Sequence, residues 1–132
     1  MEEKFICDVL NQVYEIEKKA ERLNEGHILK RNIEKLKSYF EHVYKNEGFV
    51  YEDPLGQSYN ITRTDCEVAI SGESAEDLEI IEVIKPVIRR KYDQGISKVI
   101  QKAVVVVRSK SKEQPSENAQ KQNESNVVNP QN

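Results

Sequence analysis

The stretch YKNEGFVYE, residues 44–52, separates two parts of the chain that follow different sequence patterns. Before Gly48, residues 3–46 have the apolar spacing of helices, whereas residues 48–108 have the short apolar runs and turn residues of strands. Neither part contains a cluster of catalytic residue types. We therefore expect a helical arm joined to a small strand-rich module, an organisation typical of proteins that bind a partner rather than transform a substrate.

An apolar stripe runs along the helical arm. Its members recur at alternating steps of three and four residues, the spacing that keeps one face of a helix against a partner helix. Such a stripe is stable only when it is buried, and the strand module is small, so we expect the stripe to pair two copies of the chain. The residues that we assign to dimerisation are Ile6, Val9, Val13, Ile16, Ala20, Leu23, Ile33, Leu36 and Phe40.

The register of the stripe changes at residues 24–26, Asn-Glu-Gly. Either one long helix is kinked there or a turn separates two helices, because asparagine and glycine both tolerate the conformation that ends a helix. Glycine inside a helix costs only about 1 kcal/mol, and we favour the long helix. The fold class that we expect is α+β: a long N-terminal coiled-coil helix, or a helical hairpin, followed by a small β-rich domain.

Composition divides the 132 residues into three regions. Residues 1–47 form the helical dimerisation region and residues 48–108 the small β domain. Residues 109–132 are rich in asparagine, glutamine and serine, with too few apolar residues to offset the entropy of folding, and we expect a disordered tail.

Cysteine and histidine are too sparse and too widely spaced to suggest a metal site. Cys7 and Cys66 are 59 positions apart, and His27 and His42 are isolated, so we expect no metal and no cofactor. The N-terminus lacks the basic start and apolar run of a signal peptide, and no apolar stretch reaches the roughly 20 residues of a membrane span. We expect a cytoplasmic protein with no membrane contact.

The turn Asp-Pro-Leu-Gly, residues 53–56, suggests how the β domain begins. Proline suits the second position of such a turn and glycine the fourth, which predicts a hairpin between residues 49–51 and 58–62. Further strands are predicted at residues 67–70 and, despite Pro86, at residues 78–88. The four valines at residues 104–107 are typical of a strand covered on both faces.

Charge is segregated along the chain. Residues 41–84 hold 11 acidic and 2 basic side chains, whereas residues 85–112 hold 9 basic side chains and one acidic side chain. A basic segment of this kind can bind nucleic acid or an acidic partner. It can also lie beside the acidic segment in one sheet, where the charges neutralise each other. We favour neutralisation and expect no nucleic acid as partner.

Acid–base or nucleophilic chemistry has one weak candidate, the sequence Asp65-Cys66-Glu67. No histidine or lysine near in sequence completes a nucleophile and base pair. The glycine-rich phosphate-binding motifs are absent from the sequence as well. We therefore expect that the chain is not an enzyme.

The order of elements resembles the GrpE family, the nucleotide exchange factors of DnaK-type chaperones. That family has a long N-terminal helix that dimerises, followed by a compact β domain with a signature spread along it. Similar residues stand here in the same order: GFV at 48–50, GQSYN at 56–60, CEVA at 66–69, KY at 91–92 and IQKAVVVV at 100–107.

The resemblance implies a function as well as a fold. It implies a homodimeric co-chaperone that binds a DnaK-type chaperone, holds its nucleotide cleft open and promotes ADP release. The positions that it assigns to partner binding are Gly48, Tyr59, Asn60, Glu67, Tyr92 and Gln101. Two alternatives stay open: an oligomerisation or scaffold protein without exchange activity, and nucleic-acid binding through residues 85–112.

Overall fold

The computed structural model describes residues 2–70 and 77–110 of the chain. Two α-helices, joined by a short 3-10 helix at Gly26–Leu29, precede the strands: α1 (Glu3–Glu21) and α2 (Lys30–Glu41). Seven strands follow within the described residues: β1 (Gly48–Glu52), β2 (Ser58–Tyr59), β3 (Cys66–Ile70), β4 (Leu78–Lys85), β5 (Val87–Lys91), β6 (Ser97–Gln101) and β7 (Ala103–Ser109). Of the tail predicted at residues 109–132, residues 111–132 lie outside the described part, whereas Ser109 is the buried last residue of β7 and not part of a disordered tail.

The two helices form a hairpin, so the prediction of one long coiled-coil helix is wrong. α1 ends at Glu21, and the chain turns so tightly that a Cβ atom on Gly26 would lie 1.7 Å from the carbonyl oxygen of Ala20. The fold is α+β, and the turn at residues 24–26 separates two helices that pack against each other. Tertiary packing decides the outcome, because both helices bury their apolar sides within the chain.

A second close approach joins the hairpin to the sheet. A Cβ atom on Gly48 would lie 1.9 Å from the carbonyl oxygen of Glu41, the last residue of α2. Only glycine lets β1 start this close to the end of the helix. The position therefore fixes how the helical hairpin sits on the strands.

The centre of the strand module is one two-stranded ribbon bent in the middle. β4 pairs antiparallel with β7, and β5 pairs antiparallel with β6. Pro86 separates β4 from β5, because its nitrogen has no hydrogen to donate to the ladder, and Lys102 separates β6 from β7. The predicted strand at residues 78–88 is therefore two strands, which belong to different sheets.

The remaining strands attach to the edges of this ribbon. β1 joins β5 to give a three-stranded sheet in the order β1-β5-β6, while β2 and β3 join the other half in the order β2-β4-β7-β3. β3 runs parallel to β7, with Cys66 opposite Ala103. The predicted hairpin between residues 49–51 and 58–62 is wrong, because the turn between them carries the chain from one sheet to the other.

The described residues form three apolar clusters, of which one, made of Val13, Ala20 and Ile33, lies between the two helices. The other two hold the layers together. One lies on the inner face of the four-stranded sheet and contains Cys66, Leu78, Ile80, Val87, Ala103, Val105 and Val107. The other lies between α1 and the three-stranded sheet and contains Ile6, Cys7, Leu10, Phe49 and Ile88. Val87 and Ile88 enter different clusters because successive side chains of a strand point to opposite faces. Each large buried side chain contributes about 2 kcal/mol.

The valine run at residues 104–107 is buried on one face only. Val105 and Val107 are buried, whereas Val104 and Val106 on the opposite face are half-exposed. Their neighbours across the sheet are charged, with Glu67 and Lys85 beside Val104 and Glu82 beside Val106. The prediction of a strand covered on both faces is therefore wrong for the described part of the chain.

Candidate functional site

The positions that the resemblance assigned to partner binding lie in separate parts of the molecule. Tyr59 and Asn60 lie at the end of β2, at one edge of the four-stranded sheet, and Glu67 lies in β3 at the other edge. Two strands stand between these edges, which places them about 14 Å apart at the usual strand spacing. Glu67 is exposed on the outer face, whereas Tyr59 packs against the inner cluster.

Gly48 and Tyr92 lie near Arg90, whose guanidinium group is surrounded by aromatic rings. Its central carbon is 4.9 Å from the ring centre of Tyr92. The ring centres of Phe49 and Tyr44 are 5.5 and 5.7 Å away. The planar cation stacks favourably on such rings.

Two carboxylates hold the same guanidinium group from the helical side. Arg90 pairs with Glu3 at 3.5 Å and with Glu47 at 3.6 Å, while its buried Nε atom has no hydrogen-bond partner among the residues that the structure describes. We call these residues and the three rings the Arg90 cluster. Because its own cation fills the ring cage, the cluster acts as an anchor between α1, β1 and β5.

Gln101 lies at the bend of the ribbon, and other groups of the chain engage its amide. Its nitrogen donates to the carbonyl oxygen of Pro86 at 3.0 Å and to the Asn11 side-chain oxygen at 2.8 Å. The Asn11 amide nitrogen donates back to Gln101 at 3.0 Å. This amide pair fastens α1 to the bend.

The nine residues assigned to dimerisation divide into two groups. The chain itself covers six of them: Ile6, Val13, Ala20 and Ile33 are buried, and Val9 and Phe40 are half-buried. Ile16, Leu23 and Leu36 remain exposed, at 45%, 60% and 37%. The sheet and the second helix therefore cover most of the stripe. From the sequence alone, this internal contact could not be distinguished from a dimer contact.

An apolar surface remains on the side of the hairpin that faces away from the sheet. Phe5 and Ile16 fall within about 20° of each other on α1 at 100° per residue, and Leu23 follows two residues after the helix ends. The neighbouring Val9 packs against the cluster that contains Ile33 of α2, so this side of α1 borders α2. We define the outer helical face by its exposed members: Phe5, Ile16, Leu23, Leu29, Leu36 and Tyr39.

Three members of the outer helical face, Leu29 together with Phe5 and Tyr39, were not among the predicted dimerisation residues, and the last two are the most exposed of the three. Both are more than half exposed, at 57% and 65%. Phe5 lies four residues before Val9 and seven before Gln12, on the neighbouring turns of α1. Tyr39 lies three residues after Leu36 on α2. The three-and-four spacing could have identified them once the buried side of each helix was known.

A polar network lies between the helices and β1. The Tyr51 hydroxyl donates to Glu17 at 2.7 Å, and Lys37 pairs with Glu17 at 3.3 Å while lying 5.0 Å from the Tyr51 ring centre. Tyr14 meets Tyr51 edge to face at 5.7 Å. Burial, with the nearby Glu17 carboxylate, raises the pKa of Tyr51, so this hydroxyl stays protonated.

The same network continues along α1 to the end of β1. Lys18 pairs with Asp53 at 2.9 Å, and this hydrogen bond is the main cause of a raised Lys18 pKa. Burial raises the pKa of Tyr14 to about 12, with a further contribution from Asp53. These groups hold fixed protonation states at neutral pH and serve to orient α1 on the sheet.

In the segment Asp65-Cys66-Glu67, the first residue is held by ion pairs and the second is buried. Arg63 binds Asp65 at 2.6 Å, which lowers the pKa of that carboxyl, and Arg89 approaches it at 3.6 Å. Cys66 is buried, and burial raises the pKa of its thiol to about 11. A thiol in this state is a poor nucleophile at neutral pH.

The basic segment at residues 85–112 meets the acidic segment across the first sheet. Arg89 pairs with Glu52 at 2.8 Å and Lys91 with Glu41 at 3.1 Å, in addition to the ion pairs of Arg90. These contacts neutralise three neighbouring cations of β5. The arrangement agrees with the neutralisation that we favoured over a continuous basic surface.

No group of three or more metal-binding side chains occurs in residues 2–70 and 77–110. No helix in that part of the chain is long and apolar enough to cross a membrane.

No protein-family model matches the sequence, and no significant match was found among curated proteins or solved structures.

Proposed function

We propose that the chain is a GrpE-like co-chaperone that binds a DnaK-type chaperone and promotes ADP release. The observation that carries the proposal is the order of its parts: an apolar-faced helical hairpin leads directly into a β module at Gly48. From there the residues that resemble the GrpE signature run in order to the end of β7. The two free cysteines agree with a cytoplasmic location, which is part of the proposal.

Self-association through the outer helical face is the first step. Six large apolar side chains of the helical hairpin, counting the connection between its helices, are exposed, and exposed apolar surface of this kind marks protein interfaces. A second copy related by a two-fold axis would present the same patch, and the four helices would then bury it. Isolated exposure of so many aliphatic and aromatic groups is otherwise unfavourable.

The β module supplies the contact with the chaperone. Glu67 is the most suitable of the assigned residues for a test, because it is exposed and its side chain lies on the outer face, away from the inner cluster. Binding preferentially to the open nucleotide cleft shifts the equilibrium toward the open form by the difference in affinity for the two states, and no covalent step is needed.

The test is the release of a fluorescent ADP analogue from the DnaK-type chaperone of the same organism, with and without the protein. We expect release to accelerate with protein concentration and to saturate. Glu67→Lys should reduce the acceleration several-fold, about 1 kcal/mol for the reversal of one interface charge. Glu25→Lys, at an exposed position of the helical turn, is the matched control and should behave like the wild type.

Two outcomes would contradict the proposal. A folded protein that self-associates but leaves the release rate unchanged would be a scaffold without exchange activity. Binding to a fluorescent oligonucleotide with a steep salt dependence would instead favour nucleic-acid recognition.

A further inference from the structure

One stretch of β4 has a strand on only one side. Glu82, Val83 and Lys85 pair with β7 on one side of this stretch. On the opposite side β2 covers only residues 78 and 79, and the backbone of residue 80 is hydrogen-bonded to the turn at residues 56–57. No strand in the described part of the chain continues that side along residues 81–85. An open strand edge is a surface to which an extended peptide can add.

Helix α1 forms a wall opposite this edge. The space between them is a cleft of about 420 Å³ that we call the α1–β4 groove. Its apolar lining consists of Tyr14 from α1, Leu55 from the turn after β1, and Ile81 and Ile84 from β4. Leu55, Ile81 and Ile84 are 47%, 37% and 49% exposed, so they are open to a ligand.

Cations gather at one end of the groove. Asn11 of α1 binds Gln101, which in turn binds the Pro86 carbonyl oxygen, so Asn11 lies near the Pro86 end of β4. Arg22 follows eleven residues later, about 16 Å further along the helix direction, and therefore lies toward the other end of the groove. Lys19 and Arg22 both line the groove, and neither has an ion-pair partner among the described residues. The other lining cation, Lys18, is already bound to Asp53.

Acidic residues line the groove as well. Glu15 stands one helical turn before Lys19, and Glu82 lies between the two isoleucines of β4. Among the residues that line the groove, the uncompensated positive charge is therefore confined to the Arg22 end, and a ligand carboxylate is favoured there.

The bulges of β4 limit what can bind. The pairing of β4 with β7 shifts register between Ile80 and Glu82 and again between Val83 and Lys85. A bulge adds a residue that has no partner in the neighbouring strand, so a bulged edge resists the addition of a long regular strand. The bulge also changes the direction of that residue's side chain. Here those side chains are Ile81 and Ile84, so the groove suits a short segment held by apolar contacts.

We propose that the α1–β4 groove binds a short extended peptide segment of a partner protein, one with aliphatic side chains and a carboxylate. The aliphatic groups pack against Ile81 and Ile84, and the carboxylate pairs with Lys19 and Arg22 at the end of α1. The peptide backbone lies along residues 81–85, whose outward side pairs with no strand among residues 2–70 and 77–110. The site is separate from the outer helical face and from Glu67, and it does not depend on the proposed exchange activity.

The test measures fluorescence polarisation of a fluorescein-labelled octapeptide of alternating valine and serine with a single glutamate at one end, added to the full chain. We expect saturable binding. The double variant Lys19→Glu with Arg22→Glu should weaken the affinity about tenfold, since it reverses two exposed charges. Ile84→Asp should weaken it at least as much by removing an apolar contact and adding a like charge.

Matched variants separate the groove from general surface effects. Lys35→Glu reverses an exposed cation of α2, and Ile61→Asp changes an isoleucine that is 86% exposed outside the groove. Both should leave the affinity within about twofold of the wild type. Backbone amide shifts on peptide addition, measured by NMR on the labelled protein, should concentrate at residues 81–85 and 14–22.

The proposal is overturned if the peptide does not bind or if both control variants weaken binding as much as the groove variants. Amide shifts confined to another surface would overturn it too. A peptide with lysine in place of glutamate should bind at least tenfold more weakly, and equal binding would contradict the role of Lys19 and Arg22. ADP release is measured in a separate experiment, so a failure of the groove proposal can be distinguished from a failure of the proposed exchange activity.

Discussion

The side-chain amides of Asn11 and Gln101 bind each other next to the bend at Pro86. Gln101→Ala removes three hydrogen bonds and leaves the Pro86 carbonyl oxygen and the Asn11 amide without these partners. We expect the free energy of unfolding, measured by urea titration, to fall by about 1–3 kcal/mol. Gln12→Ala, at an exposed position of the same helix, should change it by less than about 0.5 kcal/mol. Equal effects of the two substitutions would contradict the role of the amide pair.

Tyr14 predicts how stability depends on alkaline pH. An unfolded tyrosine loses its proton near a pKa of about 10, whereas burial raises the pKa of folded Tyr14 to about 12. Between these values the folded state binds more protons, so the free energy of unfolding falls as the pH rises. In urea titrations across that window, Tyr14→Phe should make the fall shallower.

Other groups contribute to the same fall, which makes a control necessary. Burial also raises the pKa of the Cys66 thiol, to about 11, so some loss of stability should persist in Tyr14→Phe. Thr64→Ala changes an exposed residue that has no ionisable group and should leave the pH dependence as in the wild type. An unchanged slope in Tyr14→Phe would show that Tyr14 ionises alike in both states.

Residues such as these explain why the candidate site was only partly predictable. The resemblance to the GrpE signature singled out Gln101, but its hydrogen-bond partner Asn11 lies 90 positions away in sequence. The Arg90 cluster likewise joins Glu3 to residues of β1 and β5. Nothing local in the sequence indicates contacts between such distant positions.

At the scale of elements, the turn between the helices is the clearest determinant. Gly26→Ala would place a methyl group 1.7 Å from the Ala20 carbonyl oxygen, so the turn must open. We expect a loss of about 3 kcal/mol, comparable to a severe overpacking change, in thermal or urea unfolding. Asn24→Ala in the same turn, at an exposed position, should have a much smaller effect. A stable Gly26→Ala variant would mean that the helices can join into one.

The apolar spacing identified both helices, and their separate registers follow from the sequence. Their junction did not, because glycine within a helix is only mildly unfavourable, and the deciding close approach to Ala20 exists only in the folded chain. The same limit applied to the strands. The Asp-Pro-Leu-Gly turn was recognisable, but the strand partners of its flanks come from residues 78–91.

At the scale of the whole molecule, β5 and β6 connect the two apolar clusters. Ile88 of β5 belongs to the cluster under the helices, and Ile80 of β4 belongs to the cluster of the four-stranded sheet. β4 and β5 follow each other directly across the bend at Pro86. We therefore expect cooperative unfolding in a single transition. Ile80→Ala and Ile88→Ala should each lower the free energy of unfolding by about 2–5 kcal/mol.

The measurement compares far-ultraviolet circular dichroism with tyrosine fluorescence in the same urea titration. In both variants the two signals should change together, because each substitution weakens a structure that shares the same strands. Separate transitions, with the helical signal surviving in Ile80→Ala, would contradict this coupling.

The order of elements along the chain also has a consequence for synthesis. α1 ends at Glu21, but the strands β5 and β6 that complete the sheet beneath it extend to Gln101, 80 residues later (101 − 21). A ribosome that adds about 5–20 residues per second needs about 4–16 s for that length. Throughout this interval the nascent helices keep the apolar side that will later face the sheet uncovered. The growing polypeptide is therefore most vulnerable to aggregation before Gln101 has been translated.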